Sequence, residues 1–380
     1  MSYTMINPIP QFNFQINRVL TYGDLACNSK EIKMNLPSVR TFEEWYTVWS
    51  DMGGSAESKK HYLHAAYYYR MAEFFLKSTD ERKDDTYSKC IKNFYRAFDL
   101  ELQLHYEKIQ VPFEGKNLYC LKLSPTYLKG TVVVCGGYDS FIEEFVLQVH
   151  DLVSKGFEII LFDGPGQGKC LRENLYFRFD FENATSAILD YFHIKRCAFV
   201  GISWGGYFAL RSAAYEKRIS AVAAYDVMDD GLEVMTNVFP APICRIIRLA
   251  YYKKWKRLLN GLVGKIVKKS VLADWAVNQG MHITGTKTPF EFYQNLSHHN
   301  LLGITDLITQ DVLLLAGEKD HYIPSIQFYR LKSSIHNAKS LTCRMFTVAE
   351  GGEQHCQIGN HMLAVNTIVD WLNQHFPEAD

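Results

Sequence analysis

The stretch Cys197-Ala198-Phe199-Val200-Gly201-Ile202-Ser203-Trp204-Gly205-Gly206 decides how the rest of the chain is read. Its first six residues form a short apolar run of strand length, and a helical pattern opens at once behind it, from Tyr207 to Tyr215. Between the two lies G-x-S-x-G, Gly201 to Gly205. A serine there is forced into a strained strand-to-helix turn, and the glycines two residues before and two after let the neighbouring backbone pack closely, so the hydroxyl stands out. The helix that begins at this point turns free N–H groups and a positive dipole end toward developing negative charge. Ser203 is therefore the candidate nucleophile, and the backbone N–H of Trp204 a candidate oxyanion donor.

Working outward, more β-rich runs alternate with helical ones: Leu118–Leu123, Thr131–Cys135, Phe157–Phe162, Ile219–Tyr225, Val312–Ala316 and Leu341–Val348. That alternation predicts β-α-β units and a mostly parallel, doubly wound sheet. Upstream, from Thr41 to about Leu104, apolar and aromatic residues recur three or four apart through Trp45, Trp49, Tyr62, Ala65, Tyr69 and Ala72, a helical period with no strand in it. The interval from Tyr225 to Val312 is too long for one crossover and reads as a helical insertion over the carboxyl edge of the sheet. The expected organisation is a helical cap over residues 1–115 and an α/β core over 116–380, with a helical lid at about 227–308.

An activated serine needs a base and an orienting carboxylate, in the chain order Ser, Asp, His. Asp320 stands after the run Val312–Ala316, in Gly317-Glu318-Lys319-Asp320-His321-Tyr322-Ile323-Pro324, with Glu318 as its rival. His355 follows the last run, in Glu350-Gly351-Gly352-Glu353-Gln354-His355-Cys356, with His361 the nearest competitor, read as the start of the terminal helix. A second oxyanion donor is expected after Thr131–Cys135, where Gly136-Gly137-Tyr138-Asp139-Ser140 offers the N–H of Gly137 or Tyr138. Tyr138 and Asp139 are candidate substrate contacts, with Asp139 equally an N-cap for the helix after Phe141. Asp226, Asp229, Asp230 and Glu233 read as solvated turn acids, Asp226 being retained as a further substrate contact. The segment Asp163-Gly164-Pro165-Gly166-Gln167-Gly168 has neither G-x-G-x-x-G nor P-loop spacing, so it reads as a tight turn walling the site, with no nucleotide. His298-His299 lacks a ligand partner at metal-binding spacing.

Composition bounds these readings. The chain has 380 residues, 41 Lys+Arg against 41 Asp+Glu, and is 47% hydrophobic and 14% aromatic, which excludes disorder, collagen and coiled coil and argues against a nucleic-acid binder. Nine scattered cysteines with no C-x-x-C pair read as reduced thiols in a cytoplasmic protein. No secretory signal opens the sequence, and uncharged stretches such as Cys197–Leu210, at 14 residues, are too short to span a bilayer. Between Arg245 and Lys269 stand nine basic residues and no acid, interleaved with Ile246, Ile247, Leu249, Trp255, Leu258 and Leu259. This segment reads as a lid with a solvated basic face; a membrane-surface helix or a dock for an acyl-carrier protein are the other readings.

With these residues in hand the chain resembles the α/β-hydrolases that carry an amino-terminal helical cap: the 2,6-dihydroxypseudooxynicotine hydrolases, the fungal polyketide-shortening hydrolases and the fermentation-respiration switch proteins. The resemblance rests on Trp45, Trp49 and Ala65 to Leu76 in the cap, and on Gly136–Ser140, Asp163–Gly168, Gly201–Gly206, Gly317–Asp320 and His355-Cys356-Gln357 in the core. It implies an α/β-hydrolase fold and a serine hydrolase with no metal or organic cofactor, often a homodimer, with a small-molecule substrate held between cap and core. Some members cleave a carbon–carbon bond beside a ketone through an acyl-enzyme. The expected substrate is a β-dicarbonyl or polyketide-like aromatic compound, the alternatives being ester, lactone or peptide hydrolysis, or acyl transfer and cyclisation by the same triad.

Overall fold

The computed structural model describes residues 3–376. They form two compact units, one of residues 3–105 with 358–361, the other of residues 106–357 with 362–376.

The first unit is helical: Pro10–Leu20, Ser29–Asn35, Phe42–Ser58, Tyr62–Phe74 and Arg82–Leu100. Local chemistry sets the starts. The Asn28 side chain accepts from the N–H groups of Lys30 and Glu31, and Thr41 and Glu44 form a reciprocal capping box at the helix they open. The aromatic period then assembles the core. Phe12, Trp45 and Phe75 pack with ring centroids 4.7–5.2 Å apart, and the Trp45 indole N–H donates to the Met71 carbonyl at 2.6 Å. Beside this core lies a buried ion cluster in which Glu73 receives Lys83 at 2.8 Å and Arg70 at 3.1 Å.

The second unit holds an eight-stranded sheet among the described residues: β1 Glu107–Phe113, β2 Lys116–Leu123, β3 Gly130–Cys135, β4 Phe157–Asp163, β5 Cys197–Ile202, β6 Ile219–Tyr225, β7 Asp311–Gly317 and β8 Ser340–Phe346. Their order is β1-β2-β4-β3-β5-β6-β7-β8, antiparallel from β1 through β2 to β4 and parallel from there on. Central strands are unbroken apolar runs, Val132–Val134 and Ile159–Phe162 being without exposure, as strands covered on both faces must be.

β1 is the element the sequence reading passed over, so the sheet starts at residue 107, ahead of the expected boundary at 115/116. Its Glu107, Lys108 and Gln110 are exposed and Pro112 removes a donor, a composition that only an edge strand tolerates. After β6 the chain makes the helices Gly231–Thr236, Ala241–Tyr252, Lys256–Ile266, Val271–Thr284 and Pro289–Leu296 before returning as β7.

Topology positions the site. From β3 the chain passes to β4 on one side and then to β5 on the other, so right-handed crossovers lay successive helices on opposite faces. Open α/β sheets place their ligand sites at such a reversal, which here lies outside the carboxyl ends of β3 and β5. Register sharpens this: Cys135 is level with Gly201 and Ile202 with Tyr225, so the residues that follow β3, β5 and β6 emerge side by side.

Removing the Glu73 carboxylate takes a buried counter-charge from two buried cations. Glu73→Ala is expected to cost about 3–5 kcal/mol in urea unfolding; a loss below about 1 kcal/mol would show that Arg70 and Lys83 find other compensation.

Candidate active site

At the end of β5, Ser203 takes φ 60° and ψ −124°, a conformation that L residues rarely adopt, and the helix Trp204–Tyr215 starts directly after it. The turn closes only because Gly201 has no side chain: a Cβ there would sit 1.8 Å from the Gly205 carbonyl oxygen. Ser203 Oγ lies 2.8 Å from His355 Nε2, and His355 Nδ1 lies 2.6 Å from Asp320 Oδ2. The three groups come from the carboxyl ends of β5, β7 and β8, with Asp320 and His355 buried. Asp320 is held by the N–H groups of Tyr322 and Ile323, which donate to its Oδ1 at 2.8 and 3.0 Å, and the Tyr322 ring meets the imidazole edge-on at 5.0 Å. Its rival Glu318 is exposed and accepts from the Val348 N–H at 2.7 Å. His361 lies elsewhere, its Nδ1 3.2 Å from Thr21 Oγ1 in the helical unit, just before the terminal helix Met362–His375.

Asp226 departs from expectation. It is neither solvated nor open to a substrate: it is 1% exposed, and its Oδ2 lies 3.1 Å from His355 Nδ1. The Cys356 N–H donates to the same oxygen at 2.5 Å, and the Gln357 amide donates to Oδ1 at 3.1 Å. The level register of Ile202 and Tyr225 brings this about, because the residue after Tyr225 must emerge beside the serine turn. Asp229 is also buried, clamped by Arg330 at 2.5 and 2.7 Å, while Asp230 caps the helix that follows. Burial alone would pull the His355 pKa down; the Asp320 carboxylate and the hydrogen bond to Asp226 outweigh it and hold the imidazole well above its ordinary value.

Gly137 lies against the serine turn, where a Cβ would stand 2.7 Å from the Trp204 nitrogen. Gln167 fixes this loop. Its side-chain amide donates to the carbonyls of Gly136 at 2.7 Å and Gly137 at 3.0 Å, while its oxygen accepts from the Gly164 N–H at 2.9 Å. In trans peptides the N–H points opposite the carbonyl, so the N–H groups of Gly137 and Tyr138 face away from Gln167. The segment Asp163–Gly168, read from sequence as a wall, is thus the brace of the loop; a lone glutamine among turn glycines was the available signal.

The expected substrate contacts are partly committed elsewhere. Tyr138 is buried, stacked on the Trp204 ring at 5.4 Å, and its hydroxyl donates to the Ala276 carbonyl at 2.6 Å. Asp139 is half-buried, and the N-cap position of the next helix is held by Phe141, whose N–H donates to Glu144 at 3.3 Å, while the Ile142 N–H donates to Asp163 at 3.1 Å. Behind the turn, the Trp204 indole N–H donates to His299 Nδ1 at 3.0 Å, and burial lowers the His299 pKa to about 3, keeping it neutral. From Tyr138 an aromatic line continues through Trp275 and Tyr322 to His355, which sequence reading did not find because Trp275 sits in the inserted helices. Asp226, His355 and Cys356 form the one group among the described residues with enough ligand atoms close together for a metal ion, within 4.8 Å. An ion there would take one imidazole nitrogen and displace its contact, Asp320 at Nδ1 or Ser203 at Nε2.

Residues 132–359 match the model of the alpha/beta hydrolase family. Among curated proteins the chain is similar to the hydrolase acrC of Aspergillus aculeatus, 24% identical over 97% of each chain. It is also similar to the 20-hydroxy-prefusarin hydrolase of Gibberella moniliformis, 25% identical over 96% of this chain and 96% of that protein. Among solved structures, the 2,6-dihydroxy-pseudo-oxynicotine hydrolase superposes with a TM-score of 0.69 at 18% identity, covering 95% of each chain.

Truncating Gln167 would take the side-chain partner from the buried Gly136 carbonyl and the Gly164 N–H and leave the Gly137 carbonyl with Ser140 Oγ alone, at 3.3 Å. Gln167→Ala is expected to lower stability by about 2–4 kcal/mol in urea unfolding, and a change within about 0.5 kcal/mol would contradict the bracing role.

Proposed function

The chain belongs to the alpha/beta hydrolase family and is a hydrolase, and from that premise we propose that it is a serine hydrolase that forms an acyl-enzyme on Ser203. The observation that carries this reading is the continuous path from Ser203 Oγ to His355 Nε2, at 2.8 Å, and from His355 Nδ1 to Asp320, at 2.6 Å. In this reading His355 takes the serine proton as Oγ adds to a carbonyl carbon, and Asp320 holds the tautomer whose Nε2 is free to accept it. The tetrahedral oxyanion is met by the N–H of Trp204 at the helix start and by that of Tyr138 or Gly137 on the braced loop. Collapse breaks the bond to the leaving group, which receives the proton from His355, and water then repeats the sequence on the acyl-enzyme.

The substrate class we favour is a β-dicarbonyl or polyketide-like aromatic compound, cleaved at the carbon–carbon bond beside its ketone. Such a bond breaks only when the departing carbon leaves as a stabilised enolate, which restricts the substrate to diketones and acylated phenols. Two features support it: the rings of Tyr322 and Trp275 that continue from His355, which suit a flat apolar ligand, and the similarity to a 20-hydroxy-prefusarin hydrolase.

The test is a panel of β-diketones, aryl esters and acyl-thioesters turned over by wild type and Ser203→Ala. Release of a carboxylic acid and a ketone from the diketones, lost by roughly 10⁴-fold or more in the variant, is expected. Turnover confined to esters would replace carbon–carbon cleavage with ester hydrolysis, and transfer to added alcohols or amines would indicate an acyltransferase.

The two carboxylates on His355 also set a pH dependence. The base must be neutral to act and its pKa is raised, so kcat/KM is expected to fall with decreasing pH along a limb centred above about 6.5, the ordinary histidine value. Asp226→Asn removes one stabilising charge and is expected to move that limb to lower pH. An unmoved limb would mean that Asp226 serves only the backbone of the His355 loop.

A further inference from the structure

Between Glu233 and Asp274 the chain carries no acid, although its overall charge is balanced. This stretch forms the helices Ala241–Tyr252 and Lys256–Ile266, which meet at a tight corner. Folding explains only one side of them. Cys244, Ile247 and Ala250 of the first helix and Leu259 and Val263 of the second are buried and attach the pair to its unit. A second apolar set faces water: Ile246, Leu249, Tyr252, Trp255 and Leu258 are 48–68% exposed. At the corner, Tyr252-Lys253-Lys254-Trp255-Lys256-Arg257-Leu258 are all exposed, four cations among three large apolar side chains. The side chains of Arg245, Lys253, Lys254, Arg257, Lys265 and Lys268 make no hydrogen bond or ion pair with the described residues, so nothing among those residues pairs with their charge.

We propose that this corner docks on an anionic lipid surface. Tyr252, Trp255 and Leu258 enter the headgroup layer, where a ring with one apolar and one polar end is at home, and the lysines around them meet lipid phosphates and carboxylates. The arrangement favours lipid over an acidic protein. A protein dock gathers its apolar contacts at a centre and leaves charge to a rim; here cations and apolar side chains alternate through the corner, as in an interfacial anchor. No helix among the described residues is long and apolar enough to cross a membrane, so attachment through this corner is peripheral. The proposal does not rest on the chemistry at Ser203.

The experiment is flotation of the full chain with vesicles of phosphatidylcholine alone and of phosphatidylcholine with about 30% phosphatidylserine. Association with the anionic vesicles only is expected, falling steeply at about 1 M salt, where screening acts within about 3 Å. The double variant K253E/K254E and, separately, Trp255→Ser are each expected to weaken it by about tenfold or more, with unchanged melting temperatures because these side chains are exposed. No association with anionic vesicles, association that neither variant weakens, or capture of a purified acidic acyl-carrier protein in place of vesicles would overturn the proposal.

Discussion

One strained residue governs the architecture of the second unit. Ser203 is held at positive φ between a central strand and a helix, at a cost of about 1–3 kcal/mol that the surroundings must offset. They do so by close packing. Gly201 admits the Gly205 carbonyl, and Gly137 lets the neighbouring loop rest on the Trp204 nitrogen. The Trp204 ring is then fixed between Tyr138 on one side and the neutral His299 on the other. A turn so over-determined cannot relax, and its hydroxyl keeps a fixed direction toward the imidazole.

The histidine is under a comparable constraint. Its loop passes through left-handed backbone at Cys356 and Gln357, neither of them glycine, and the buried Asp226 carboxylate holds both. Tyr225 helps from below, its hydroxyl donating to the Cys356 carbonyl. Two carboxylates on one Nδ1 keep a proton there and leave Nε2 to face the serine, and they also stabilise an imidazolium once it forms. In the proposed reaction the same arrangement would keep the imidazole protonated to higher pH and stabilise the imidazolium that forms on proton transfer, at the expense of activity in acid.

Much of this was legible in the residues, and what was not has physical reasons. Central strands are apolar on both faces and announce themselves; β1, at the edge, keeps its apolar residues to one side and contains a proline, so it looks like linker. Ser203, Asp320 and His355 could be placed because each follows a strand in a fixed order. Asp226 was visible as an acid after β6, but its burial follows from the register of β5 and β6, which only the folded sheet supplies. Gln167 was hidden for a related reason: its function lies in hydrogen bonds to a loop 30 residues away. Trp275 reaches the aromatic line from the inserted helices, whose packing periodicity alone does not set.

The central claim is that Ser203 is an activated nucleophile. It is tested most directly by treating wild type and His355→Ala with a fluorophosphonate and mapping any adduct by peptide mass spectrometry. A single adduct on the peptide containing Ser203, formed by wild type and nearly absent from the variant, is the predicted result. An adduct on another residue, or none on wild type, would contradict the account.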